Sequence, residues 1–122
     1  MKRVLTIDGG GIRGILPAAL LTALEARNGV PVARAYDLLA GTSTGGIIAT
    51  GLACHVPAAE LLALYQNHGP AIFDESLVDK VEGGFGAFGA KYHPAPLESQ
   101  LTILGDAWLS DPLACELLVP TY

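Results

Sequence analysis

The sequence predicts an α/β protein in which a parallel sheet lies between helices. Short apolar runs of strand character alternate with stretches whose apolar residues recur every three or four positions. Two glycine-rich turns, Asp8-Gly9-Gly10-Gly11-Ile12-Arg13-Gly14 and Gly41-Thr42-Ser43-Thr44-Gly45-Gly46, each follow a strand-like run and open a helix-like one. Turns of that kind fall at the carboxyl edge of a parallel sheet, where α/β proteins carry their chemistry.

The elements follow in order. Arg3 to Ile7 reads as a short buried strand, and Ile12 to Ala26 as an amphipathic helix with Leu16, Leu20, Ala23 and Leu24 on one face. Pro17 is early enough for the opening turn, and Asn28-Gly29 ends the helix. Leu38 to Ala40 is the second strand and Thr44 to Ala53 the second helix. Pro57 opens a third helix, Ala58 to Asn67, whose buried side is Leu61, Leu62, Leu64 and Tyr65. From Phe73 to Pro96 the periodicity dissolves. Phe85 and Phe88 among Gly83, Gly84, Gly86 and Gly89 read as a loop with exposed aromatics, either a lipid-facing flap or a flexible insertion. Leu97, Leu101 and Leu104 recur at helical spacing, Gly105 stops that helix, Cys115 to Val119 reads as a strand, and Trp108 packs between the two.

The chain has 122 residues, 51% hydrophobic and 16% charged, and is read as one domain over residues 1–122. A net charge of −5 argues against nucleic acid and against electrostatic docking on anionic membranes, so lipid contact is expected to be apolar. Cys54 and Cys115 are too few for a disulfide framework or a zinc site and are read as reduced core residues. Asp8 breaks the apolar run that follows Met1-Lys2-Arg3, so no secretory segment is expected, and His55, Pro57 and Glu60 interrupt Ile47 to Leu64 before it reaches a membrane span. The expected compartment is the cytoplasm, with peripheral contact at membranes.

The second turn fits G-x-S-x-G, which holds a serine on a sharp strand-to-helix turn with its hydroxyl clear of the backbone. Gly41 and Gly45 flank it because a side chain there crowds the turn and because glycine tolerates positive φ. Ser43 then stands at a helix N-terminus, where unpaired N–H groups favour developing negative charge. The bland alternative is a capping turn. In the first turn the N–H groups of Gly9, Gly10 and Gly11 can face outward together as donors to an oxyanion, each such donor being worth about 3 to 4 kcal/mol in acyl transfer. Gly9, Gly11 and Gly14 also satisfy G-x-G-x-x-G, the dinucleotide-binding pattern. Against that reading, Asp8 would repel a pyrophosphate, and Asp37, the nearest candidate for a ribose-binding acid, precedes its strand. Arg13 is the cation of the first turn. It is read either as a partner for a lipid phosphate or as one half of an ion pair with Asp8 or a loop carboxylate that fixes the loop.

DGGGIRG followed a few dozen residues later by GTSTGG resembles the patatin-like phospholipases, and Tyr36-Asp37-Leu38-Leu39-Ala40 resembles that family's lead-in to its nucleophile strand. The similarity extends more faintly after Ile72. The resemblance implies an α/β/α fold and a serine lipid acyl hydrolase acting on acyl lipid or on a membrane-surface substrate, with no metal or organic cofactor. It implies Ser43 as nucleophile, Gly9, Gly10 and Gly11 as the oxyanion loop, and Arg13, Gly14, Gly41 and Gly45 as supporting motif positions. The family's base is an aspartate in a D-G-G or D-G-A motif well downstream. No such motif follows Ser43, and the chain stops at Pro120-Thr121-Tyr122, so it is expected to be an N-terminal portion of the domain, truncated at the C-terminus.

Other bases are weak. His55, twelve positions beyond Ser43, lies about 18 Å along a continuous helix at about 1.5 Å per residue, and His68 suits a helix end. His93 has no neighbour to orient it, and Asp74, Asp79, Asp106 and Asp111 read as loop or cap residues. Two rivals follow: a non-catalytic fragment or scaffold of the same fold, and a histidine-dependent G-x-S-x-G acyltransferase using His93. An α/β-hydrolase fits less well, because its nucleophile strand comes after more strands.

Overall fold

A computed structural model describes residues 1–73 and 113–120. Strand β1 (Val4–Ile7) pairs in parallel with β2 (Leu38–Gly41), and β2 with β3 (Glu116–Leu118), giving the order β1-β2-β3. The register runs from Val4 opposite Leu38 to Ile7 opposite Gly41. Ile7 and Gly41, the last residues of their strands, are therefore neighbours, and both glycine-rich turns leave the sheet side by side. At the other edge the Arg3 N–H donates to Asp37 Oδ2 at 2.6 Å and the Asp37 N–H to the Arg3 carbonyl at 2.8 Å. Asp37 thus clasps the entry of β1 at the edge away from the turns.

The helices are α1 (Ile15–Asn28), α2 (Val32–Ala35), α3 (Thr44–Ala53) and α4 (Ala58–Ile72). Helix α3 packs along β2 and β3 and is buried on nearly every side through Ile48, Ala49, Leu52 and Ala53. That suits its near absence of polar side chains. Helix α1 packs on α4 and ends at Gly29, whose φ of 64° is the left-handed conformation that closes a helix at little cost only for glycine. Glu25 joins three helices: its Oε1 accepts the Val32 N–H at 2.8 Å and its Oε2 the Ala58 N–H at 3.0 Å. One carboxylate so satisfies an unpaired first-turn donor of both α2 and α4 and sits at their positive dipole ends.

The α/β class and the parallel sheet agree with the sequence reading, and several details differ. A 3-10 turn, Gly11–Gly14, precedes α1, so the helix begins three residues later than the periodicity suggests. Leu16 and Leu20 are 68% and 70% exposed, while Ala18 and Leu21 are the buried positions of α1. Small Ala18 lets α1 settle closely, and Leu16 and Leu20 instead line an open groove of about 470 Å³ beside β1, with Pro17 and Leu5. Helix α2 was not expected, because four residues after Pro31 are too short to show a period. Helix α4 continues through His68-Gly69-Pro70, a sequence that reads as a stop. Packing overrides it there: a Cβ on Gly69 would collide with Ile12 Cδ1, Ile72 is buried, and the Phe73 N–H reaches the Gly69 carbonyl at 2.9 Å. Cys54 and Cys115 are not joined in a disulfide and are half-buried rather than in the deep core, and burial pushes the Cys115 thiol up. The expected loop with Phe85 and Phe88, the helix over Leu97 to Leu104, Trp108, His93 and the aspartates at 74, 79, 106 and 111 lie outside the described residues.

Candidate active site

Ser43 follows β2 immediately after Gly41-Thr42 and stands at the N-terminus of α3 with φ 52° and ψ −125°. A non-glycine residue with that backbone is strained by about 1 to 3 kcal/mol and persists only where its surroundings impose it. Here they do. The Thr42 N–H is held by the Ile7 carbonyl at 3.3 Å, the Gly45 N–H by the Thr42 carbonyl at 2.9 Å, and the Ser43 carbonyl accepts from Gly46 at 2.9 Å and Ile47 at 3.2 Å. Ser43 is exposed, and its side chain makes no capping hydrogen bond to α3. The capping role that its position invites is therefore not taken up, and the hydroxyl stays at the surface of the turn.

Gly41 and Gly45 are required by close approach. A Cβ on Gly41 would collide with the Gly45 carbonyl, and one on Gly45 with the Ile7 carbonyl and, at 2.8 Å, the Asp8 oxygen. Neither has the positive φ that the sequence reading allowed for, since in this turn Ser43 itself carries it. Helix α3 consequently starts against the end of β1. The same crowding brings the two turns together: a Cβ on Gly9 would lie 2.7 Å from the Thr42 carbonyl oxygen and 2.8 Å from Ser43 Cβ.

The glycine loop does not present three outward donors. The Gly9 N–H donates to Thr42 Oγ1 at 3.1 Å and the Gly10 N–H to Thr44 Oγ1 at 3.2 Å. The threonines on either side of Ser43 so fasten the loop to the turn, a pairing across 33 and 34 residues that residue types alone do not announce. Gly11, at φ 58°, opens the 3-10 turn. The Gly10 carbonyl accepts from the Arg13 N–H at 3.2 Å and from Arg13 Nε at 3.4 Å. Across a planar trans peptide the Gly11 N–H points the opposite way, so Arg13 fixes the direction of that donor. This corrects the expected ion pair: Arg13 bonds to a backbone carbonyl, while the salt bridge among the described residues joins exposed Lys2 and Glu116 at 3.8 Å.

Gly14 lies against Tyr65 of α4, whose Cε1 would be 2.7 Å from a Cβ at that position. The Tyr65 hydroxyl donates to the Thr44 carbonyl at 3.0 Å, and burial pushes its phenol up to about 12. Neither described histidine is placed beside Ser43 by its element. His55 follows the far end of α3, exposed and at φ 68°, and His68 is exposed in the penultimate turn of α4. Asp37 is occupied at the opposite sheet edge, which removes the acid that a dinucleotide site would need. Among the described residues, no group of three or more His, Cys, Asp or Glu could hold a metal ion, and no helix is long and apolar enough to cross a membrane.

The chain is similar to known proteins over most of its length. The family model described as patatin-like phospholipase matches residues 5–115. A cGAMP-activated phospholipase of Pseudomonas aeruginosa is 43% identical over 100 residues, covering 81% of this chain and 29% of that protein. Patatin-like protein 2 of Oryza sativa is 35% identical over 139 residues, covering 100% of this chain and 34% of that protein. Patatin-17 of Solanum cardiophyllum is 38% identical, covering 62% and 23%. The chain so spans about a third or less of the length of these relatives. No solved structure matches it. With the family model matching nearly its whole length, the chain belongs to the patatin-like phospholipase family.

Proposed function

We propose that this chain carries the nucleophile half of a serine lipid acyl hydrolase. The observation that supports it most is Ser43, held at positive φ at the start of α3, uncommitted to capping and packed against Gly9 of the glycine loop. In the reaction, Ser43 Oγ adds to the acyl carbonyl carbon as its proton passes to a base. The carbonyl oxygen becomes an oxyanion facing the glycine loop and the N-terminal end of α3. Collapse expels the lipid alcohol, which takes up the proton, and water then releases the fatty acid from Ser43 by the same route.

Gly9, Gly10 and Gly11 are the proposed oxyanion loop, with Gly11 the donor aimed by Arg13. Gly9 and Gly10 give the loop its shape rather than donating to the oxyanion, because Thr42 and Thr44 Oγ1 accept their N–H groups. The base is an aspartate of the longer protein, outside these 122 residues, as the family pattern implies. The proposed substrate is an acyl lipid met at a membrane surface, with apolar rather than electrostatic contact in view of the net charge of −5.

The test is hydrolysis of a short-chain p-nitrophenyl ester and of a phospholipid by the whole natural protein, with Ser43→Ala beside it. The reading requires turnover that vanishes in the variant. A folded wild-type protein with no turnover of either ester would leave the non-catalytic scaffold as the better account.

A further inference from the structure

Tyr65 touches both halves of the site from a third element. Its side chain is 2% exposed and its ring lies 6.0 Å from that of Phe73, at an interplanar angle of 10°. Its hydroxyl donates to the carbonyl of Thr44, the residue directly after Ser43. The ring meanwhile occupies the space beside Gly14, the last residue of the turn that begins at Gly11, with its Oη 3.0 Å from where a Cβ would stand. Thr44, itself 2% exposed, passes the connection on, because its Oγ1 accepts the Gly10 N–H. A second contact, Ile12 against Gly69, holds the same turn to α4.

We infer that Tyr65 is a positioning residue for the Ser43 centre: a strut on α4 that sets the distance between the start of the Ser43 helix and the glycine loop. The inference rests on the nucleophile reading above. A helix start and a loop tied together through the Thr42 and Thr44 hydroxyls can still slide against one another by fractions of an ångström. A rigid aromatic ring between them, tied at its hydroxyl to one and seated against the other, removes that freedom. Displacements of about 1 Å at a reacting centre can cost as much as 100-fold in rate, so a smaller slip is expected to cost about 10-fold.

A tyrosine that merely filled the core would be replaced by phenylalanine with some loss of stability and no change in turnover. The test is Tyr65→Phe in the whole natural protein, read as kcat and KM for ester hydrolysis and as the rate of fluorophosphonate labelling. The strut predicts about a 10-fold fall in kcat and in labelling rate, with KM within about twofold and the circular dichroism spectrum retained. It also predicts coupling. Thr44→Val removes the next link, so Tyr65→Phe combined with Thr44→Val loses less than the product of the single losses.

Gly14→Ala is a second variant that pushes the ring from its other side, with the same expected split between kcat and KM. Wild-type kcat in folded Tyr65→Phe, or losses that multiply fully in the double variant, would overturn the strut while leaving Ser43 as nucleophile. Undiminished turnover in Ser43→Ala would overturn the nucleophile reading itself, and the strut with it.

Discussion

Gly45 and Ile7 are in backbone contact: a single Cβ on Gly45 would run into the Ile7 carbonyl. One residue is the second position of α3 and the other ends β1, so the contact fixes where the Ser43 helix begins relative to the strand that launches the glycine loop. Backbone on backbone cannot yield as a flexible side chain can. Gly45→Ala is therefore expected to destabilise the protein by about 2 kcal/mol or more, read as a lower urea midpoint. An unchanged midpoint would mean that strand and helix are further apart than described.

Ser43 bears strain that a glycine would not. Relief of about 1 to 3 kcal/mol is offset in part by the roughly 0.5 to 1 kcal/mol that glycine loses through a freer unfolded chain. Ser43→Gly should so raise stability by about 1 kcal/mol while abolishing any serine chemistry, a combination that thermal melting and ester hydrolysis check together. A less stable variant would argue against the positive φ.

The Glu25 carboxylate holds Val32 and Ala58, the first residues of α2 and α4. Glu25→Ala leaves two helix-start N–H groups without their acceptor, at a cost of about 2 kcal/mol. Glu25→Gln keeps one acceptor oxygen and should lose less. Denaturation of the two variants side by side measures the difference, and equal stability of all three proteins would contradict the double cap.

The Tyr65 phenol gives a pH signature. Its folded value is raised to about 12 from the ordinary 10.0, mainly by burial, so the unfolded chain gives up this proton first. The contribution is fully present below pH 10 and is lost as pH rises from 10 towards 12, by roughly 2 to 3 kcal/mol in total. Tyr65→Phe should remove that part of the alkaline slope, as measured by denaturant midpoints at pH 9 and pH 11. An identical slope in both proteins would mean that the phenol is not buried.

Much of this was legible in the sequence, and the unread parts share a cause. Gly41 and Gly45 announce a close approach because no other residue type fits one, and the two turns fall side by side because parallel strands share a carboxyl edge. Leu16 and Leu20 misled because periodicity marks a face without saying which face meets the core. The run His68-Gly69-Pro70 looked like a stop because its support, Ile12 against Gly69, comes from 57 residues away in the chain. The hydrogen bonds of Thr42, Thr44 and Tyr65, and that of Glu25 to Ala58, span 21 to 34 residues. Only folding brings such partners together, so local pattern could not name them. Arg13 was noticed for its charge, yet what it binds is a carbonyl three residues back.

The most direct measurement is labelling of the whole natural protein with a fluorophosphonate, followed by peptide mass spectrometry to locate the adduct. The account predicts one adduct, on Ser43, that is absent in Ser43→Ala. An adduct on another serine, or undiminished labelling of Ser43→Ala, would contradict it.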